Sequence, residues 1–410
     1  MAGSGVQTAF SITSATALFK NKYEMKSENT YNNATALLTR IKKDQSFVGK
    51  QMDVAVPLSF NGGVGSGKTL PTANTANYGD AVLTRKTMSS RILLDREAIK
   101  ASASDEGAFV RATKEQVAKG VESFTRNLSR TLFSSTNGAL GQGDGVTTVT
   151  GNGTIGTPYL VIISAASWVQ GFWEVGDFVN VAAEITQLEV VKIIPATLQV
   201  QLVGTSATLA AAVSGVTFTT AQIYMQNSLG NDPQSLLAAL AATSGTIYGL
   251  NVGYRWQAYQ NTAGGPITPD LINDLALGVE YQCGKAPNLF VTSYKQYKKL
   301  MNQLEDEKRY PIASRQSSIK GQIMFQGIEV MTSAGPVPVV PERMCPDGVC
   351  LALNDNYLTY FSVPGSPAWV DEDGSVFFRV ATADQFECRY LAYLELWCPP
   401  SFHGIATGLT

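Results

Sequence analysis

The clearest pattern in the chain is a strict alternation just after residue 50. Met52, Val54, Val56, Leu58 and Phe60 are apolar, with Gln51, Asp53, Ala55, Pro57 and Ser59 between them. Period two predicts a strand with one buried face. Pro57 has no N–H to give to a ladder, so the strand belongs at an edge or in a projecting hairpin. A glycine-rich run follows over 61–69, and a second extended stretch returns over about 81–94. Together they predict a long hairpin with a wide, small-residue tip. The polar residues before it, with Asn and Thr clustered around Thr30 to Asn33, read as an extended arm that needs a neighbour to order it.

The period then changes. Val117, Val121, Phe124, Leu128 and Leu132 recur at steps of three and four, with Lys114, Glu115, Lys119, Glu122, Arg126 and Arg130 on the other face. Glu115 with Lys119, and Glu122 with Arg126, are i,i+4 pairs in the favourable order. Ser104 or Asp105 can cap this helix, and Asn137-Gly138 can end it. A helix over 105–136 would be on the order of 48 Å long.

From 138 to 225 the only basic residue is Lys192. Short β-patterned runs recur at 159–164, 178–181, 185–194, 198–203 and 216–225, which predicts a small barrel or sandwich. Beyond Asn227 the pattern is mixed. Thr268-Pro269 caps a helix carrying Leu271, Leu275 and Val279. Residues 289–292 read as a short buried strand, and Ser293 with Gln296 reads as the capping box of a helix with Tyr297, Leu300, Met301 and Leu304. A proline-rich loop is expected over 335–346. Strands are expected at 377–380 and 386–398.

Composition narrows the function. The chain has 410 residues, enough for more than one packed unit, and 44% are hydrophobic. It carries 31 basic and 33 acidic residues, a net charge of −2, which argues against binding nucleic acid by phosphate neutralisation. Charged residues make up 16%, against about 25% in ordinary soluble proteins. Few charges with abundant Gly, Ala and Thr suit a surface that is buried against copies of itself. The first ten residues have no basic stretch of a targeting signal, and no apolar run approaches the roughly 18 residues of a membrane span. Assembly in the cytoplasm, away from membranes, is the expectation.

Candidate chemistry is sparse. His403 is the single histidine and reads as a polar residue on a terminal strand or tail. Cys283, Cys345, Cys350, Cys388 and Cys398 form no CxxC pair and read as free thiols in a reducing compartment. Glu305, Asp306 and Glu307 read as a solvated helix end, and Asp371, Glu372 and Asp373 as a turn. The run 62–69 fits the phosphate-loop pattern GxxxxGK[ST] letter for letter, and Asp355 could be proposed as its partner aspartate. A phosphate loop must open a helix, however. Here Leu70-Pro71 follows with no apolar periodicity, and the preceding strand alternates, unlike a central parallel strand. The run is therefore read as a flexible tip. Its Gly62, Gly63, Gly65, Gly67 and Lys68 are the candidate contact residues.

The order of these parts resembles the major capsid proteins of tailed bacteriophages, which have the Hong Kong 97-type fold. Local cues are Phe47-Val48-Gly49-Lys50 leading into the hairpin, Pro287-Asn288-Leu289-Phe290-Val291-Thr292-Ser293 after a helix, and Phe325-Gln326-Gly327-Ile328-Glu329-Val330 ahead of the proline-rich segment. The resemblance implies an α+β fold with six parts. These are an N-terminal arm over 1–46, an extended loop over 47–98, and a peripheral domain with a spine helix over 99–137. An inserted all-β domain over 138–226, an axial domain over 227–363 and peripheral return strands over 364–410 complete it.

The resemblance also implies a structural protein, not an enzyme, that needs no cofactor or metal. Copies would join as pentamers and hexamers into an icosahedral virion head around double-stranded DNA, without gripping it specifically. A separate scaffolding protein is expected, since the hairpin is reached by residue 50. A portal protein at one vertex and a decoration protein outside complete the implied partners. Some relatives link a hairpin Lys to a neighbour's Asn; Lys50 and Lys68 are the Lys residues in this hairpin, and no Asn is matched. An encapsulin-type compartment and, through 62–69, a phosphate-loop ATPase are the alternatives.

Overall fold

The computed structural model describes residues 36–59, 64, 76–97, 112–135, 138–145, 149–213, 221–253, 255–306, 328–371 and 376–410. A short helix α1 (Ala36–Arg40) buries Leu37 and Leu38 and leads into strand β1 (Lys42–Asp44). Strands β2 (Gln51–Ser59) and β3 (Asn77–Thr84) then form the expected antiparallel hairpin. Gln51 lies opposite Thr84, and the register shifts between Pro57 and Ser59, where the proline interrupts the ladder. Strand β4 (Lys86–Asp95) follows. The return stretch, expected as one strand, is thus two. Arg85 separates them, its guanidinium over the Tyr393 ring, and beyond it the chain leaves β2 for a different partner.

Helix α2 (Ala112–Thr131) is the expected long helix; its predicted beginning lies outside the described residues. It stops short of the expected end at residue 136. The N–H groups of Leu132 and Phe133 reach back only three residues, to Ser129 and Arg130, in a tight turn that buries both side chains. Gly120 lets α2 lie directly on β4, because a Cβ there would sit 2.1 Å from Ile92 Cδ1.

Strands β5 (Ala139–Gln142), β6 (Tyr159–Ile162), β7 (Phe178–Val181), β8 (Leu188–Ile194) and β9 (Gln199–Val203) come next. Helix α3 (Ala207–Val213) and strand β10 (Gln222–Met225) follow them. The strands form one antiparallel sheet in the order β5-β10-β7-β8-β9-β6. Its two ends meet. Gly143 bridges Ile163, the Ser164 N–H donates to Gln142 O at 2.9 Å, and the Asp144 N–H donates to Ile162 O at 3.1 Å. The sheet therefore closes into a small barrel, filled by Val161, Val179, Val181, Leu188, Val190, Val200, Leu202 and Ile223. Leu209 and Ala212 of α3 join that core, a helix in an Ala-rich run that β patterning does not anticipate.

Helix α4 (Leu236–Ala241), the small β11 (Thr246–Ile247) and β12 (Leu250–Asn251) pair, and β13 (Tyr259–Asn261) lead to helix α5 (Pro269–Cys283). The Thr268 hydroxyl accepts the Leu271 N–H at 3.1 Å, Pro269 sits in the first turn, and Gly284 closes the end at φ 70°. Strand β14 (Leu289–Thr292) is wholly buried. At the start of α6 (Tyr294–Asp306), Ser293 Oγ accepts the Gln296 N–H at 3.3 Å. The Gln296 amide turns instead to Asp347 O and Leu409 O, so only half of the capping box forms.

Strands β15 (Glu329–Thr332) and β16 (Gly335–Pro341) correct the expected proline-rich loop, since most of it is strand. The Val339 N–H donates to Ile328 O, and Val337 and Val339 are buried. Pro336 and Pro338 alternate with them, and pairing to β14 begins only at Val339. The prolines thus occupy positions from which that ladder needs no N–H. Strand β17 (Cys350–Leu353) completes this part of the chain.

Strands β18 (Thr359–Ser362), β19 (Ala368–Trp369), β20 (Phe378–Arg379), β21 (Gln385–Trp397) and β22 (Gly404–Ala406) finish the described fold. Two six-stranded sheets result. In one, β21 pairs with β18, β19, β20 and β4, and β1 joins β18 in parallel. The other runs β13-β22-β17-β14-β16-β15, with α5 packed on it through Leu275 and Val279.

Candidate assembly site

The hairpin has one half-buried face. Along β2, exposed and half-buried residues alternate, as a one-faced strand requires. Met52, Val54 and Val56 turn toward a cluster of Phe47, Ala81, Leu83, Ile247, Tyr248, Leu250 and Trp256. The Val82 N–H donates to Tyr248 O at 2.8 Å. The Tyr248 hydroxyl donates to Leu396 O and accepts the Cys398 N–H, so the hairpin base is tied to β21. Among the described residues, β2 and β3 pair as strands only with each other; the outer edge of β2 is open, and that of β3 is covered at Val82 by Tyr248. Gly62, Gly63, Gly65, Gly67 and Lys68, the expected contact residues, lie outside the described residues. Val64 beside them is 97% exposed. Lys50 is exposed at the base.

Other sequence candidates have structural roles. The strand ahead of the phosphate-loop pattern belongs to an antiparallel hairpin, not to the centre of a parallel sheet. Asp355 is engaged with Asn288. Its carboxylate accepts the Asn288 amide at 2.6 Å, and its own N–H donates back at 3.0 Å. His403 corrects the expectation of a terminal polar residue. It is fully buried, its Nδ1 accepts the Asn354 N–H at 3.2 Å, and burial drives its pKa down to about 3, so it stays neutral. It is inside because β22, the strand it precedes, fills the middle of a sheet. Four of the five cysteines are buried and Cys283 is half-buried; all five are free. Burial pushes the Cys350 thiol up to about 12, which makes it inert. Among the described residues no group of three or more His, Cys, Asp or Glu could hold a metal, and no helix is long and apolar enough to cross a membrane.

Polar anchors that sequence reasoning missed join the parts. The Glu342 carboxylate, almost wholly buried, accepts the Leu37 N–H at 3.0 Å and so docks the first turn of α1. Burial pushes its pKa up, and the backbone donors partly offset that. Arg126 on α2 meets Asp177 at 2.6 Å and Glu174 at 3.8 Å, and Glu174 also takes Arg343 at 2.6 Å. One ionic network thus holds the long helix, the barrel and the segment after β16. Arg126 stands 51 residues from Asp177, and Arg343 stands 169 from Glu174, so no local pattern could reveal the pairs. Phe124 adds an edge-on contact with Tyr390, ring centroids 5.0 Å apart.

With this geometry the chain is similar in structure to the chain of the cyanophage A-1(L) capsid asymmetric unit. The TM-score is 0.61 at 12% identity, covering 98% of this chain and 100% of that one. It is similar also to the capsid chain of a native GTA particle computed with C5 symmetry, with TM-score 0.52, 10% identity, and 98% and 100% covered. A chain of the holo-SrpI encapsulin complex from Synechococcus elongatus PCC 7942 aligns at TM-score 0.49 and 9% identity, over 98% of this chain and 96% of that one. No protein-family model matches the sequence, and no curated protein sequence matches it. The molecule is a mixed α+β protein, and its fold is that of these capsid chains. Specifically, it has the Hong Kong 97-type fold over almost its whole length.

Proposed function

We propose that this chain is the major capsid protein of a tailed bacteriophage, a structural subunit that performs no catalysis. Copies join as pentamers and hexamers into the icosahedral head that encloses double-stranded DNA. The observation that carries this reading is the end-to-end likeness to the cyanophage A-1(L) capsid chain, with nothing large left over on either side. Physical features support it. A hairpin with an open strand edge is a liability in a lone molecule and an asset once neighbours cover it. A net charge of −2 gives the inner wall little grip on packaged DNA.

In this reading the hairpin and its tip, with Gly62, Gly63, Gly65, Gly67 and Lys68, lie across an adjacent subunit. Helix α2 is the spine of the peripheral domain, which β21 and its partners complete. The sheet containing β22 belongs to the axial domain, at the five-fold and quasi-six-fold centres, and the barrel is an inserted outer domain. A separate scaffolding protein, a portal at one vertex and an external decoration protein are the further partners, in a virion assembled in the host cytoplasm. Electron microscopy of the purified protein, expressed alone and with candidate scaffolding protein, tests this. Closed shells with five-fold vertices are the expected result. A protein that stays monomeric under both conditions, or forms shells filled with protein cargo, overturns it.

A further inference from the structure

Helix α5 carries a straight stripe on the side away from its sheet. Ile272, Leu275, Ala276 and Val279 are buried on one side of the helix. Asp270, Asp274, Leu277 and Tyr281, spaced four, three and four residues apart, line the opposite side and are all exposed. The stripe is about 17 Å long. One end is acidic and the other apolar, with Leu277 52% and Tyr281 87% exposed. Asp270 in the first turn also favours the helix dipole. Asp274 lies beyond that turn and gains little from it.

Helix α6 offers the complementary surface. It buries Gln296 and Leu300, and its other side presents Tyr294, Lys295, Lys298 and Asn302 to solvent, with Lys299 half-buried beside them. Its basic residues fall in the first two turns, and Glu305 and Asp306 come only at its end. Lys295 meets Asp347 at 3.6 Å. Among the described residues, Lys298 and Lys299 belong to no ion pair, and neither do Asp270 and Asp274. The two helices share one core, in which Ile272, Val279 and Leu300 all lie. Each turns its charged side away from that core, so the acidic and basic faces do not meet within one chain.

We propose that the α5 stripe of one copy docks on the first two turns of α6 of a second copy. Asp270 and Asp274 face Lys298 and Lys299 there, and Tyr281 is the apolar anchor. Charge complementarity selects the occupant, because one chain carries both halves of the contact and like faces repel. An exposed tyrosine beside such charges is the kind of side chain that dominates the energy of an interface. The contact joins two different surfaces, so it is heterologous, and repeated about an axis it closes a ring. That ring is the pentamer or hexamer of the shell reading above, on which this step rests.

The test measures self-association of the full-length subunit by sedimentation over a range of concentrations, with microscopy of the products. Asp274→Lys, and separately Lys298→Glu with Lys299→Glu, should each weaken association at least about tenfold, since like charges then face each other. All three substitutions together exchange the signs and should restore most of it. Tyr281→Ala should weaken association without touching a charge. Asp274→Asn and Lys298→Gln serve for any reversal that does not fold, each with a severalfold loss. Rescue in shells supports both readings. Rescue in oligomers that never close into shells supports this contact and removes the shell reading. Shells that ignore every reversal, or a triple variant no better than the separate reversals, overturn the proposal and leave the shell reading standing. A wild type that stays monomeric throughout, with or without scaffolding protein, overturns both.

Discussion

The barrel and the hairpin are both antiparallel β-structure, and they use it in opposite ways. The barrel closes on itself, and its end strands are joined through Gln142, Gly143 and Ile163, so its ladder has no free end there. The hairpin has two strands, one half-buried face and an open outer edge along β2. Closure makes the barrel self-sufficient. Openness leaves the hairpin dependent on what lies beside it, which is the property a lattice contact needs. The same backbone chemistry thus closes on itself in one region and stays open in the other.

Equivalent truncations in the two regions should break the comparison if it is wrong. Leu202→Ala empties a site in the closed barrel and should cost about 2–5 kcal/mol in a denaturation experiment. An effect well under 1 kcal/mol would mean that the barrel is loosely packed.

A second measurement concerns β21, which pairs with β4 beyond the hairpin and holds the chain leaving the barrel. Glu395 is buried there and accepts the Gln234 N–H at 2.6 Å and the Leu396 N–H at 3.1 Å. Burial raises its pKa to about 7. The folded chain therefore holds this proton more tightly than the unfolded one. Its stabilising contribution is complete below pH ~4.5 and is lost as pH rises through about 7. Glu395→Gln keeps the accepting oxygen and removes the titration. The variant should match wild type near pH 4.5 and exceed it at pH 8 by up to about 3 kcal/mol. Identical pH profiles for the two proteins would refute this.

The smallest effect on stability should come from the hairpin. Val54→Ser on its half-buried face should cost under about 1 kcal/mol in the isolated subunit, yet reduce the yield of shells severalfold by light scattering and microscopy. Unchanged shell yield would remove the hairpin from assembly.

Legibility followed the range of the forces involved. The alternation of β2, the caps of α5 and the apolar stripe of α2 are local, and each is visible within a few residues. The break at Arg85 is not, because it depends on β21, three hundred residues away. The strand over Gly335–Pro341 was hidden because its prolines signal a loop unless the pairing side of each is known. His403 looked peripheral in sequence and is central in space. The hairpin tip was proposed from its glycines and lies outside the described residues. Arg126 and Glu342 had no signal beyond ordinary surface charge, since their significance comes only from what the fold brings to them.

The position of β22 has a temporal consequence. It slots between β13 and β17, but it is made about 50 residues after β17, the later of the two. At ~5–20 residues per second, translation takes roughly 3–10 seconds to cover that distance. During that time the nascent subunit carries an unfilled groove where its own late strand belongs. Completion of this sheet therefore acts as a clock, and the fold is whole only after the ribosome has passed residue 406.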